Sequence, residues 1–194
     1  MFPFKEAAME KKVDLRIEKT YRALYAAFTA LLEEKRFEDF TLNELCERAM
    51  IRRTTFYKHF ADKYEYFLFY VKETCASMQN QFPPEALNEG FPAYFIYMCR
   101  ALIRFLDRNE KMVNNIISSS MFPVLLDGLA EQIMNDTLVA LRSSSEFAHL
   151  TTAQLENLAA FYSGGIVNTV RLALRRGKKL DEEAFATSMS KFLR

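Results

Sequence analysis

Between Arg48 and Lys63 the chain sets Arg48, Arg52, Arg53, Lys58 and Lys63 against a single acid, Asp62. Thr54, Thr55, Tyr57 and His59 stand among them. Cations at this density attract phosphate, and the hydroxyl and imidazole groups can hydrogen-bond phosphate oxygens or base edges. Arg53, Thr54 and Thr55 lead the segment, where a helix entering a major groove carries its reading residues. A charge run of this length is ordinarily only a solvated helix face. What raises this one above that is the pair of capped helices expected around it.

Residues 4–82 contain neither Gly nor Pro. Helix ends must therefore come from caps and polarity. Ile17, Tyr21, Leu24, Phe28, Leu31 and Leu32 recur at helical spacing, which predicts one amphipathic helix with Asp14 as its cap. Thr41-Leu42-Asn43-Glu44 is a capping box. A short helix should follow to about Arg48, with Leu42 and Leu45 inward. A second short helix is expected from about Arg53 to His59, with Phe56 and Phe60 on its inner face. Asp62-Lys63-Tyr64-Glu65 caps a longer helix reaching about Asn80. Long helix, short helix, tight turn, short helix is a helix-turn-helix head.

Pro83-Pro84 breaks the chain, and a helical body is expected beyond it. Its helices should cover about 91–107, 109–118, 122–142, 152–176 and 181–193. Phe91, Phe95, Met98, Leu102 and Phe105 face inward in the first of these. Thr151 or Thr152 and Asp181 serve as caps, and Gly177 as a stop. The expected fold class is all-α with about nine helices.

Among 194 residues, 26 are basic and 25 acidic, a net charge of +1. That balance hides an asymmetry: residues 1–72 carry 14 basic and 12 acidic side chains, residues 73–194 carry 12 and 13. Half the residues are apolar, which excludes a disordered chain. No segment approaches the roughly 20 apolar residues of a membrane helix, and the N-terminus lacks a signal-peptide pattern. A cytoplasmic protein is expected. Cys46, Cys75 and Cys99 form no CxxC pair, and His59 and His149 no HxxxH pair. Free thiols are expected, with no metal and no cofactor. GxSxG, HExxH, GxxxxGK and paired-carboxylate patterns are absent, so no enzymatic activity is expected.

The run Thr41-Leu-Asn-Glu-Leu-Cys-Glu-Arg-Ala-Met-Ile-Arg-Arg-Thr-Thr-Phe-Tyr-Lys-His-Phe-Ala-Asp-Lys63 resembles the head motif of TetR/AcrR-family transcriptional regulators. Its most specific part is Thr55 to Lys63, and the resemblance extends over about 14–66. Around Phe161-Tyr-Ser-Gly-Gly-Ile166 the chain resembles a branch associated with dihydroxyacetone kinase operons. The resemblance implies a division into an arm (1–12), a DNA-binding head (13–62) and an effector-binding and dimerisation body (63–194). It implies DNA contacts from Thr41, Arg52, Arg53, Thr54, Thr55, Tyr57, Lys58, His59 and Lys63. Thr41 and Tyr57 would touch phosphate with their hydroxyls, and Lys63 with its amide and ammonium. Phe37, Leu42, Leu45, Ala49, Phe56 and Phe60 match core positions of the motif. Two positions depart from it: Met50 stands where the turn usually has glycine, and Arg52 where a Ser or Thr cap is usual.

The same resemblance implies a homodimeric bacterial regulator, most often a repressor, that binds operator DNA and an unidentified small-molecule effector. Effector-pocket candidates are Tyr94, Tyr97, Met98, Met121, Phe122, Phe161 and Tyr162. Dimer candidates are Leu155, Leu158, Gly165, Ile166, Thr169, Leu172, Phe185 and Met189. A co-activator of the same family, or a helical interaction adaptor without DNA binding, are the alternatives. Operator, effector and regulated genes are not legible in the sequence.

Overall fold

A computed structural model describes residues 15–83, 86 and 89–193. The expected arm at 1–12, the Asp14 cap and Pro84 lie outside these residues. Among the described residues there are nine α-helices and no strand. They are α1 (Leu15–Glu34), α2 (Leu42–Arg48), α3 (Arg53–Phe56), α4 (Lys63–Gln79), α5 (Phe91–Arg108), α6 (Glu110–Ile117), α7 (Phe122–Ser143), α8 (Thr152–Arg175) and α9 (Glu182–Phe192). Two 3-10 turns, Phe37–Asp39 and Ser145–Phe147, lie between helices. No described helix is long and apolar enough to cross a membrane.

The caps act as their sequences require. Thr41 accepts from the Glu44 amide (3.2 Å), and Glu44 accepts from the Thr41 amide (2.8 Å). Thr151 and Gln154 form the same reciprocal pair at the start of α8, and Asp181 accepts from the Ala184 amide (2.7 Å) at the start of α9. Asp62 accepts from the amides of Tyr64 and Glu65, both at 2.8 Å. Each pair satisfies amides that the first turn of a helix leaves free.

One helix is shorter than expected. Only Arg53–Phe56 is α-helical, and the chain continues to Phe60 as hydrogen-bonded turns. Arg52 at its cap makes no side-chain cap bond. So short a helix is held by packing rather than by its own hydrogen bonds, here by the fully buried Phe56 and nearly buried Phe60. Ile17 also departs from its expected role, being partly exposed, whereas Leu24, Phe28, Leu31 and Leu32 are buried.

By packing the chain forms two compact units: Met1–Thr74 with Asn109–Leu125, and Cys75–Arg108 with Leu126–Arg194. The division expected by role, at 62/63, is thus not the division by packing. In the first unit α6 packs along α1, and Asn115 donates to the Leu32 carbonyl (2.8 Å) at the end of α1. The core of this unit is aromatic: Phe28 meets Phe37, Phe40, Tyr66, Phe67 and Tyr70 with ring centroids 5.0 to 6.3 Å apart. Most are tilted or edge-to-face, the favourable arrangements for such rings. Tyr70 and Thr29 are joined at 2.9 Å, as are Tyr25 and Thr74.

The hydroxyl of Tyr66 has no such partner among the described residues, although it is buried. A buried hydroxyl without a hydrogen bond costs about 1–3 kcal/mol in protein cores. Tyr66→Phe is therefore expected to raise stability by about 1 kcal/mol. A lower melting temperature for that variant would show that the hydroxyl has a partner.

In the second unit α5 packs on α9. Arg100 pairs with Glu182 (3.0 Å) and Glu183, and Arg104 donates to Glu182 (2.8 Å). Ser163 donates to the Ala130 carbonyl (2.6 Å) and ties α8 to α7. Phe91 contacts Phe95, Phe147 and Tyr162. Gly177 has φ +60°, the left-handed stop that ends α8.

Candidate nucleic-acid interface

The turn between α2 and α3 decides how the basic segment is presented. Met50 takes φ +53° there and is 91% exposed. That backbone region strains a residue with a Cβ by about 1–2 kcal/mol. The Met50 amide donates to Glu47 O (3.0 Å), and the Ile51 amide to Cys46 O (2.9 Å). These bonds close α2, as a C-terminal glycine commonly does. Met50→Gly should relieve the strain at the expense of a freer unfolded chain. The net expectation is a gain of about 1 kcal/mol in chemical unfolding, with no change in the buried core. A loss of stability would show that the turn is not strained.

From this turn the five cations separate into two groups. Arg48 is held by Glu34 on α1, with 2.7 Å between nitrogen and oxygen. Lys63 turns inward: its ammonium donates to the carbonyls of Phe37 (2.7 Å) and Phe40 (2.6 Å). It also lies 4.3 and 4.7 Å from the centroids of their rings. Burial lowers its pKa from the ordinary lysine value. Arg52, Arg53 and Lys58 are exposed, and none forms an ion pair with an acid among the described residues.

Arg53 donates to the Tyr57 hydroxyl (3.1 Å), with its guanidinium 5.7 Å from the ring centroid. Tyr57 is 49% exposed, and its ring rests edge-on against buried Phe56. The hydroxyl accepts from Arg53 and keeps its own proton to donate. Thr54 is exposed and Thr55 half-buried. His59 is half-buried, with Nδ1 3.3 Å from the Tyr21 hydroxyl and its ring edge-on to Tyr21. Its other ring nitrogen is the one that could meet a phosphate. Thr41 is exposed. Its oxygen accepts from the Glu44 amide, and its hydroxyl bonds the Glu44 carboxylate. Exposed cations, the donor hydroxyl of Tyr57 and a capped helix start are the parts of a phosphate-binding surface. The inward course of Lys63 was not legible in the sequence, because its acceptors lie 26 and 23 residues away.

The candidates in the second unit are placed less uniformly. Leu155 and Ile166 are buried within the chain, and Leu158, Thr169, Phe185 and Met189 are half-buried. Gly165 and Leu172 are exposed, as are Phe161 (61%) and Phe192 (58%). The Phe161 and Phe192 rings stack with centroids 6.0 Å apart. A Cβ built on Gly164 or Gly165 would meet nothing within 4 Å. The outward face of α8 is thus small and apolar around two glycines.

A cavity of about 370 Å3 lies among Gln79, Phe82, Pro83, Gly90, Phe91, Tyr94, Asp136, Val139, Ala140, Ser143 and Ser144. Of the sequence candidates for an effector pocket, Tyr94 lines it. Met98, Met121 and Phe122 are core residues elsewhere, Tyr162 packs on Phe91 and Phe95, and Tyr97 on Phe82. The three cysteines are buried and free.

No family model matches the chain. Over 74 residues it is 35% identical to an uncharacterised HTH-type transcriptional regulator, YxbF, of Bacillus subtilis strain 168. The match covers 38% of this chain and a fifth of the length of that protein. Among solved structures it is similar to the dihydroxyacetone kinase operon activator DhaS, with TM-score 0.63 at 19% identity, over 90% of this chain and 93% of that one. A TetR transcriptional regulator from Streptococcus agalactiae 2603V gives TM-score 0.56 at 20% identity, over 93% and 97% of the two chains. Lin0861 from Listeria innocua gives 0.58 at 19%, over 96% and 97%. The all-helical fold of TetR-type regulators is therefore the fold of this chain.

Proposed function

We propose that this protein is a homodimeric DNA-binding transcriptional regulator of the TetR type, a repressor released by a small-molecule effector. The observation that carries the reading is the outward set Arg52, Arg53, Thr54, Tyr57 and Lys58 on a capped helix-turn-helix. Its cations have no described acid to neutralise them. In the complex Arg52, Lys58, Thr41 and Tyr57 bind phosphates and set the register. Arg53, Thr54 and Thr55 face base edges. His59 and the Lys63 amide add backbone contacts. The matched stretch of YxbF supports the reading, because that protein is itself described as an HTH-type regulator.

Fluorescence anisotropy with DNA from upstream of the protein's own gene tests it. Specific binding should survive unrelated competitor DNA, and the logarithm of affinity should fall linearly with the logarithm of salt. Affinity that is flat in salt, or equal for competitor, would sink the reading. A reporter carrying that DNA should be more active when the protein is deleted. A less active reporter would make the protein an activator.

Dimerisation is assigned to the outward face of α8 and α9, around Phe161, Gly164, Gly165, Leu172 and Phe192. Among the described residues nothing lies within 4 Å of a Cβ built at Gly165, and alanine in a helix interior gains about 1 kcal/mol over glycine. Gly165→Ala should therefore stabilise an isolated chain. In a dimer with close backbone approach it should instead weaken association about tenfold or more, as read by analytical ultracentrifugation. Unchanged association would place the dimer contact elsewhere.

A further inference from the structure

A second basic run lies in the second unit. Arg171, Arg175, Arg176, Lys178 and Lys179 follow one another closely, and no acid stands between Glu156 and Asp181. Arg175 and Arg176 close α8, and the two lysines lie beyond Gly177, where the helix has stopped. Cations near a helix C-terminus ordinarily serve the helix, by meeting its last carbonyls or its dipole. Here the backbone serves those carbonyls. The Lys178 amide donates to the Ala173 carbonyl (3.0 Å) and the Gly177 amide to that of Leu174 (3.1 Å), the paired bonds of a left-handed helix stop. Such a stop commonly packs an apolar side chain just after its glycine. Lys178 stands there instead and is exposed. The pull of the dipole fades within the last turn, so it does not account for lysines past Gly177.

Arg175, Arg176 and Lys178 are exposed, and none forms an ion pair with an acid among the described residues. Arg171 donates to the Asn168 side-chain carbonyl (2.7 Å), a neutral acceptor that leaves its charge in place. The acids that follow are engaged elsewhere. Asp181 caps α9, and Glu182 and Glu183 are held by Arg100 and Arg104 of α5. Together these residues set seven cations against three acids. Like charges so crowded repel one another, and a bound polyanion relieves that repulsion. A lipid surface is the weaker match, because stable membrane attachment needs an apolar anchor beside the cations. Residues 175–179 carry no apolar side chain. Duplex DNA asks only for cations: its phosphates are closely spaced, and each one neutralised releases a counterion.

We propose that the loop between α8 and α9 binds the phosphate backbone of double-stranded DNA without regard to sequence, through Arg175, Arg176 and Lys178. The choice of DNA as the polyanion rests on the regulator reading above. The loop adds affinity for any duplex and leaves preference for the operator to the basic run of the first unit.

The test is a full-length triple variant, Arg175→Gln, Arg176→Gln and Lys178→Gln, titrated by fluorescence anisotropy with a random-sequence duplex over a range of salt. Its affinity should fall about tenfold or more at low salt, and the slope of log affinity against log salt should become shallower by about two to three. Operator affinity should fall by the same factor, so that the operator-to-random ratio stays that of the parent. Arg175→Lys with Arg176→Lys should keep the parent slope, because point charges suffice for phosphate. DNA should also protect Lys178 of the parent from acetylation by an N-hydroxysuccinimide ester, read by mass spectrometry, which separates contact from attraction at a distance. If melting curves show the triple variant unfolded, Lys178→Gln alone carries the test, with a slope change of about one. The proposal is overturned if the folded variant keeps parent affinity and slope, if DNA leaves Lys178 unprotected, or if the variant loses binding to phosphatidylserine vesicles and not to DNA. No operator preference in the parent, with the triple variant still weaker on random duplex, removes the regulator reading and not the loop. An unaffected triple variant with intact operator preference removes only the loop.

Discussion

Replacing Arg52 and Lys58 together by alanine is expected to lower affinity for operator DNA roughly tenfold to a hundredfold at moderate salt. The slope of log affinity against log salt should become shallower by about two. Both side chains are exposed, and neither is paired with an acid among the described residues. Each can therefore displace about one counterion on binding a phosphate. Arg48→Ala is the internal comparison. It lies in the same basic run, yet Glu34 holds it at 2.7 Å. Its removal should alter DNA affinity less than about threefold and leave stability little changed, because exposed ion pairs contribute little. An unchanged slope in the double variant, or an equal loss in Arg48→Ala, would show that the charge run acts only as a solvated face.

Lys63→Ala is expected to destabilise the protein by about 2–4 kcal/mol. Two main-chain carbonyls, those of Phe37 and Phe40, would lose a charged donor at 2.7 and 2.6 Å. Hydrogen bonds to charged groups contribute about 1.5–3 kcal/mol each, and the two share one ammonium. Contact with the rings of Phe37 and Phe40 is lost as well. The ammonium thus fastens the 3-10 turn Phe37–Asp39 to the start of α4. Lys63→Arg should not restore the loss, because a planar fork does not fit acceptors arranged around a point charge. Chemical unfolding read beside DNA binding separates the two roles available to this residue. If stability is unchanged while affinity and salt slope fall by about one contact, the ammonium serves phosphate and not the turn.

These two expectations differ because residues adjacent in sequence face different partners. Thr41 with Glu44 and Asp181 were legible as caps, and the start of α8 as Thr151 or Thr152, because a cap joins groups two or three residues apart; the part of Gln154 was not read. The helical spacing of Leu24, Phe28, Leu31 and Leu32 was legible for the same reason. Ile17 fits that spacing and is still partly exposed, since periodicity marks a face and not what covers it. Leu155 and Ile166 likewise sit on an apolar stripe whose buried side is filled from within the chain. The left-handed turn at Met50 was legible only as a conflict between the motif and its side chain.

The sequence by itself determined where the helices start and, apart from α3, about where they stop, that a short helix pair carries the basic run, and that the fold is all-α. All of these follow from interactions within about one helical turn. Tertiary structure decided which cations point outward. Glu34 captures Arg48 from 14 residues away, and the carbonyls of Phe37 and Phe40 capture Lys63 from 26 and 23 away. It also placed Asn109–Leu125 with the first unit and gathered Gln79, Tyr94 and Asp136 around one cavity. Local spacing carries no information about such partners, because packing between distant segments brings them together.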